Sequence, residues 1–309
     1  KNILAQTRAL AVSARAFGLT PEEANGRLLA ALEKLRTARA SRPRPQLDDK
    51  IITAWNGLMI SALARAAQTL GSEAGEKERF LQAAVRAAEF LQRELYDAAR
   101  GVLYRSYREG RGATEGFAED YAFLIQGLLD LYEASFELRW LQWSERLQQT
   151  MDAIFWDEAQ GGWFNSAAGD ASIVLRLKDD YDGAEPAPSS VGVMNLLRLG
   201  TIFDQTVAGR PAEPVDRYRE RARRALEGFR TQWSGVPQAM PQMLCALEPA
   251  LEPPRHVVLA GDPGAADFRA LAAVLPEKAG PRRSILAVTG DADRAWFATR
   301  APWLAEMRP

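Results

Sequence analysis

Carboxylates are the residues of this chain best placed to do chemistry. Three groups of them stand ahead of long apolar helical stretches. The first is Asp48-Asp49-Lys50, shortly before Trp55 and Asn56; the second is Glu119-Asp120-Tyr121. The third is the loop Lys178 to Pro186, which carries Asp179, Asp180, Asp182 and Glu185 around Tyr181. Paired carboxyl groups can cleave a glycosidic bond. One with a raised pKa protonates the leaving oxygen while the other activates water, at a separation of about 6.5–9.5 Å for inversion. Aromatic side chains beside such acids offer flat faces to a sugar ring, and Trp55, Tyr121, Tyr181 and Trp163 are the candidates. Each cluster also has a plainer reading. Asp48 or Asp49 can cap a helix, Glu119 and Asp120 are first-turn acids favoured by the helix dipole, and the third loop can simply be solvated.

Two amides strengthen the chemical reading. Asn56 flanks an apolar stripe, and Asn195 lies inside the apolar face of the helix that follows the third loop and opens with Ser189 and Ser190. A buried amide without partners costs about 1–3 kcal/mol, so each needs a partner or a wet cavity.

Other chemistries have little to stand on. One histidine, His256, falls in a short apolar run that reads as a strand, so neither the usual zinc sets nor a Ser–His–Asp arrangement is available. No metal and no cofactor are expected. The single cysteine, Cys245, allows no intrachain disulfide; it reads as packing and points to a reducing compartment. Basic and acidic residues number 39 and 40, for a net charge of −1, and the basic ones are scattered, which selects neither nucleic acid nor membrane as a partner. No apolar run reaches the ~20 residues of a membrane span, and no signal peptide is visible. A cytoplasmic protein is the expectation. The chain opens on Lys1 and reads as cut from something longer.

Amphipathic helices must hold these residues. The spacing predicts helices over about 2–17, 21–40, 51–70, 76–95, 116–137, 139–155, 189–206, 213–231 and 238–248. Thr20, Pro21 and Glu23 form a helix-start signature, and the Ser-Arg-Pro-Arg-Pro segment at 41–45 ends that helix. After a Pro- and Glu-rich stretch from Pro249 to Arg255, the apolar runs 256–260 and 284–288 flank a helix at 267–275. They read as a small βαβ unit with parallel strands. Gly261-Asp262-Pro263-Gly264 reads as an ordinary turn between strand and helix.

The chain also repeats itself. Tyr96-Asp97, Gly101 and Val102-Leu103-Tyr104-Arg105-Ser106 align with Trp156-Asp157, Gly161 and Gly162-Trp163-Phe164-Asn165-Ser166 at a spacing of 60 residues. Asn56-Gly57-Leu58-Met59 is echoed by Gln126-Gly127-Leu128-Leu129. Units of two helices and a hairpin must stack to bury their apolar faces, as an open solenoid or as a closed ring. In a ring, loops at one end of the inner helices converge on a cavity, and the three acidic clusters would meet there.

Blocks carrying these residues resemble a known family. Leu47 to Met59, Gly116 to Leu124, Asp180 to Ala184 and Ser190 to Arg198 are similar, in order, to the thioredoxin-domain protein family that includes spermatogenesis-associated protein 20. The resemblance implies an α/α toroid of the six-hairpin-glycosidase type, similar also to N-acylglucosamine 2-epimerases, behind an N-terminal thioredoxin-like domain. The chain has no Cys-x-x-Cys, so no redox role follows, and one histidine cannot replace the acid–base histidine pair of the epimerases.

The expected architecture is therefore mainly α: an incomplete toroid over 1–250, lacking its first hairpins, with a small βαβ appendage at 255–309 packed on it. The expected function is carbohydrate processing by Asp48, Asp49, Glu119, Asp120, Asp180 and Asp182. Trp55, Asn56, Tyr121, Tyr181, Glu185, Asn195 and Trp163 would bind the substrate. The alternative is a non-catalytic helical scaffold. Expected partners are a small carbohydrate and either a thioredoxin-like domain or the missing N-terminal hairpins of a longer protein.

Overall fold

The computed structural model describes residues 5–70, 74–169, 173–203, 217–251, 255–279 and 283–308. They form two compact units that divide between Asp49 and Lys50. The first unit holds α1 (Leu10–Ala16) and α2 (Pro21–Ala40). Thr20 Oγ1 accepts from the Glu23 N–H while Glu23 accepts from the Thr20 N–H, as the helix-start signature requires. The first helix is shorter than its apolar pattern suggests. It starts at Leu10, where no side chain caps it, and residues 5–9 are not helical, while 1–4 lie outside the described residues.

The second unit opens with β1 (Ile51–Ile52), α3 (Thr53–Thr69) and α4 (Ala74–Phe90), which widens into a π-helical turn at Leu91–Leu95. A hairpin of β2 (Tyr96–Asp97) and β3 (Val102–Leu103) leads to β4 (Ser106–Tyr107), which returns to pair antiparallel with β1. Then come α5 (Ala118–Ser135), α6 (Leu138–Phe155), α7 (Pro188–Phe203), α8 (Arg217–Gly228), α9 (Arg230–Gly235) and α10 (Pro241–Leu251). The predicted helix ends at 204–206 and 213–216 lie outside the described residues.

Helices α3, α5 and α7 run parallel, side by side. The contacts pair Ala54 with Asp120, Ser61 with Asp130, Asn195 with Ala122 and Arg198 with Asp130. Each is backed by the helix that follows it, α4, α6 and α8, and α10 continues the row against α7. Within the second unit this alternation is that of an α/α toroid. On α3, Trp55 and Met59 are each 56% exposed.

The echoed glycines explain how the row closes up. A Cβ on Gly57 would stand 2.6 Å from the Leu124 backbone nitrogen, and one on Gly127 would stand 2.5 Å from the Gly57 carbonyl. Backbone therefore meets backbone where α3 crosses α5. Further along, Asp130 accepts from Ser61 Oγ at 2.5 Å and Arg65 Nε at 2.9 Å, and pairs with Arg198 Nη1 at 2.8 Å. Arg198 also donates to Glu133 at 2.8 Å, so one ion cluster joins α3, α5 and α7. Burial raises the Asp130 carboxyl, but Arg198 and Arg65 outweigh it and hold the group below the usual carboxylate range.

The 60-residue repeat is a repeat of structure. Asp97 Oδ1 accepts from the N–H groups of Ala99 and Arg100, and Asp157 Oδ1 from those of Ala159 and Gln160. Gly101 and Gly161 both adopt positive φ, at +71° and +75°, and Trp156 bridges to Trp163 as Tyr96 does to Leu103.

The C-terminal segment is the expected parallel βαβ unit: β5 (Arg255–Ala260), α11 (Ala266–Ala279) and β6 (Arg283–Val288). Two helices the sequence reading missed follow, α12 (Asp291–Arg300) and α13 (Pro302–Ala305). The segment packs on the helical row. Leu286, Val288, Phe297 and Leu304 belong to the main core, and the Ala287 N–H donates to the Tyr132 hydroxyl of α5 at 3.1 Å. The His256 ring lies 4.4 Å from that of Trp303, tilted by 45°. Cys245 is exposed rather than packed.

The helix crossing gives a direct test. Gly57→Ala or Gly127→Ala is expected to destabilise the fold by roughly 2–3 kcal/mol, because backbone must move to admit the methyl group. Gly75→Ala in α4, with open space around it, is expected to be neutral or slightly stabilising. Equal denaturation midpoints for all three would refute the close crossing.

Candidate functional site

The starts of α3, α5 and α7 lie at one end of the row, and the segments that enter α5 and α7 build a pocket. Two hairpin exits shape it. The strand leaving the first hairpin returns to α3, where the Thr53 N–H donates to the Arg105 carbonyl at 2.9 Å and Thr53 Oγ1 to the Tyr104 carbonyl at 2.6 Å. The strand leaving the second places Asn165, whose carbonyl accepts from the Ala118 N–H at the start of α5. Asn165 and Asp179 bond reciprocally: the Asn165 amide donates to Asp179 Oδ1 at 2.7 Å, and the Asp179 N–H donates back at 3.2 Å. Lys178 anchors the same loop, reaching Asp157 Oδ2 at 2.8 Å and the Gly161 carbonyl at 3.0 Å.

The resulting pocket has a volume of about 290 Å³ and is lined by Phe117, Glu119, Asn165, Ser166, Ile173, Asp179 and Pro188. Two carboxylates from different elements, Glu119 and Asp179, thus face one space. Arg105 Nη1 holds Glu119 Oε1 at 2.6 Å, while the Arg105 guanidinium lies 4.8 Å from the Phe117 ring centre.

The sequence candidates divide into three groups. Glu119 lines the pocket. Trp55 and Glu185 are joined at the same end by a bond from Trp55 Nε1 to Glu185 Oε1 at 2.7 Å, and Asp180 and Tyr181 are exposed on the loop. The second group is consumed by structure. Asp120 is fully buried and accepts from the N–H groups of Phe117 and Ala54, each at 2.9 Å, and from Arg105 at 3.1 Å. Asp182 accepts from the N–H groups of Ala187 and Gln242, each at 2.8 Å, fastening the loop to the start of α10. Tyr121 accepts from the Leu103 N–H, Asn56 donates to the Ile52 carbonyl, and Asn195 donates to the Ala122 carbonyl. Trp163 lies wholly inside the core, with Nε1 on Asp152 at 2.9 Å, so it presents no face to the pocket.

The third group is Asp48 and Asp49. They are exposed in the first unit, and α3 begins at Thr53 after an extended Ile52. The orphan Ala54 N–H is satisfied by Asp120, from 66 residues away. Asp179 and Asn165 line the pocket, and Arg105 holds Glu119 beside it. None of the three is marked by local sequence chemistry: Asp179 is one of four acids in its loop, and Asn165 and Arg105 stand at matching places in the two hairpin repeats.

Among the described residues no cluster of His, Cys, Asp and Glu could hold a metal ion, and no helix is long and apolar enough to cross a membrane.

Burial pushes the Asp120 carboxyl up to about 6, against the pull of the Phe117 N–H, Arg105 and the Ala54 N–H. A raised carboxyl binds its proton more tightly in the folded chain. Its stabilising contribution is therefore complete below about pH 4 and lost as pH rises through about 6. The stability lost on Asp120→Asn is expected to be largest at pH 4 and to shrink by about 3 kcal/mol by pH 7. Denaturant titrations of both proteins across that range measure it, and a pH-independent difference would refute it.

No protein-family model matches the chain. It is 38% identical to spermatogenesis-associated protein 20 of Homo sapiens over 318 residues, which cover 100% of this chain and 38% of that protein. The Mus musculus protein of the same name is 37% identical over 317 residues, with the same coverage. An uncharacterized Caenorhabditis elegans protein, B0495.5, is 36% identical over 241 residues, or 75% of this chain and 30% of that protein. The chain thus spans about 38% of the length of the mammalian relatives, and the family resemblance carried by its motifs holds along its whole length. Among solved structures, a cellobiose 2-epimerase from Spirochaeta thermophila matches with a TM-score of 0.43 and 20% identity, over 59% of this chain and 43% of that one. A family 105 glycoside hydrolase of C. acetobutylicum matches with a TM-score of 0.42 and 16% identity, over 71% and 60%.

Proposed function

We propose that this relative of spermatogenesis-associated protein 20 processes a small carbohydrate in the pocket at the starts of α5 and α7, with Glu119 and Asp179 as the reacting carboxylates. The observation that carries the reading is their convergence on one pocket of about 290 Å³ from separate elements. Each is held through one oxygen, Glu119 by Arg105 and Asp179 by Asn165, and no protein hydrogen bond takes the other oxygen among the described residues. That is what acid–base work needs: a carboxyl fixed in direction with a free edge toward the substrate. Phe117 and Pro188 supply apolar walls, and the exposed Trp55 stands at the same end, steadied by Glu185. In this reading Asp120 and Asp182 are positioning residues that hold the helix starts around the pocket.

A scaffold reading has two observations in its favour. Asp120 and Asp182 are spent on backbone N–H groups, and α3 leaves Trp55 and Met59 open to a further part of a longer protein, such as a thioredoxin-like domain.

Hydrolysis of p-nitrophenyl glycosides and of a disaccharide panel decides between the two. Glu119→Gln and Asp179→Asn are each expected to lower the rate at least about 10³-fold at unchanged melting temperature. Turnover that survives both changes sinks the assignment. A chain that turns over none of the panel, yet binds an isolated thioredoxin-like domain in size-exclusion runs, is the scaffold.

A further inference from the structure

At the far end of the row from the Glu119 pocket, a second cavity of about 280 Å³ lies between the ends of α3 and α5, the start of α4 and the βαβ unit. We propose that it binds a small aromatic anion, one ring bearing a carboxylate or phosphate.

Its charge points that way. Lys77 of α4 and Arg269 of α11 line it, and neither makes an ion pair or side-chain hydrogen bond among the described residues. The carboxylate in the lining, Glu133, is already engaged by Arg198 at 2.8 Å. The cavity therefore presents two unspent cations and no unspent acid, and an anion is the ligand that answers them.

Its floor points to an aromatic body. Phe136 meets Phe268 edge to face at 5.6 Å, and Ile285 and Ala272 complete an apolar surface. Phe136 adds a second observation, because it stands at the end of α5 in the left-handed region, with φ +58° and ψ +16°. A bulky side chain there costs on the order of 1–3 kcal/mol, and such strain concentrates at ligand clamps. Here it turns the Phe136 ring onto α11 and makes it a wall of the cavity. The volume suits one ring and its acid, at the small end of the range for ligand pockets.

Isothermal titration of the full chain tests the site with phenyl phosphate and benzoate, beside phenol as the uncharged ring and inorganic phosphate as the bare acid. At least one aromatic anion is expected to bind, at least tenfold more tightly than phenol or inorganic phosphate. Lys77→Glu and Arg269→Glu should each weaken it at least tenfold, and Ala272→Trp, which fills the floor, should abolish it. None of these residues lines the Glu119 pocket, so glycosidase activity serves as a fold control and fails independently. The proposal is overturned if neither aromatic anion binds at millimolar concentration, if phenol binds as tightly, or if both charge reversals leave the affinity unchanged.

Discussion

The second unit depends on a backbone-to-backbone crossing of α3 and α5. Gly57 and Gly127 remove the side chains that would hold the helices apart, so peptide groups come within contact distance where a single Cβ would intrude. Close approach fixes the register of the two helices, and register fixes everything at either end. At one end it brings the Ala54 N–H onto Asp120; at the other it brings Ser61 and Arg65 onto Asp130. Arg198 then ties α7 to the same cluster. A buried ion cluster gains little net stability, because desolvation offsets the attraction. The cluster joins the three parallel helices at one register.

Register also separates holding from reacting among the acids. Carboxylates that face helix starts edge-on, Asp120 and Asp182, are absorbed as distant caps. Those displaced outward by a residue or a loop turn, Glu119 and Asp179, keep an edge free. Adjacent residues in the sequence, Glu119 and Asp120, thus have opposite fates, because successive positions on a helix point about a hundred degrees apart.

Much of this was legible in the sequence where periodicity or local chemistry decides. The helices of the row, the βαβ order, the Thr20 cap and the duplicated hairpin all follow from spacing and turn residues. The sequence expects all three acidic clusters in one cavity; the pocket at the start of α5 is lined by Glu119 of the second and Asp179 of the third. What was not legible required knowing the partner. Asp48-Asp49 has the composition of a helix cap, yet the Ala54 N–H at the start of α3 is taken by Asp120, 66 residues away. Trp163 looks like a sugar platform until its indole is seen on buried Asp152. Asp179 differs from Asp180 only by which one meets Asn165. The hairpin repeat held the available signal, since Arg105 and Asn165 occupy matching exits of its two copies.

The sharing of the main core between the helical row and β6 has a consequence for synthesis. Residues 283–288 leave the ribosome after almost all of the row has been made, yet Leu286 and Val288 complete the packing against it. Domains that fold as they emerge do so from segments that can bury their own apolar faces. Here α5 and α7 wait for a strand more than 80 residues downstream of α7's start. Until β6 is made, the part of the core that Leu286 and Val288 fill has no strand to close it.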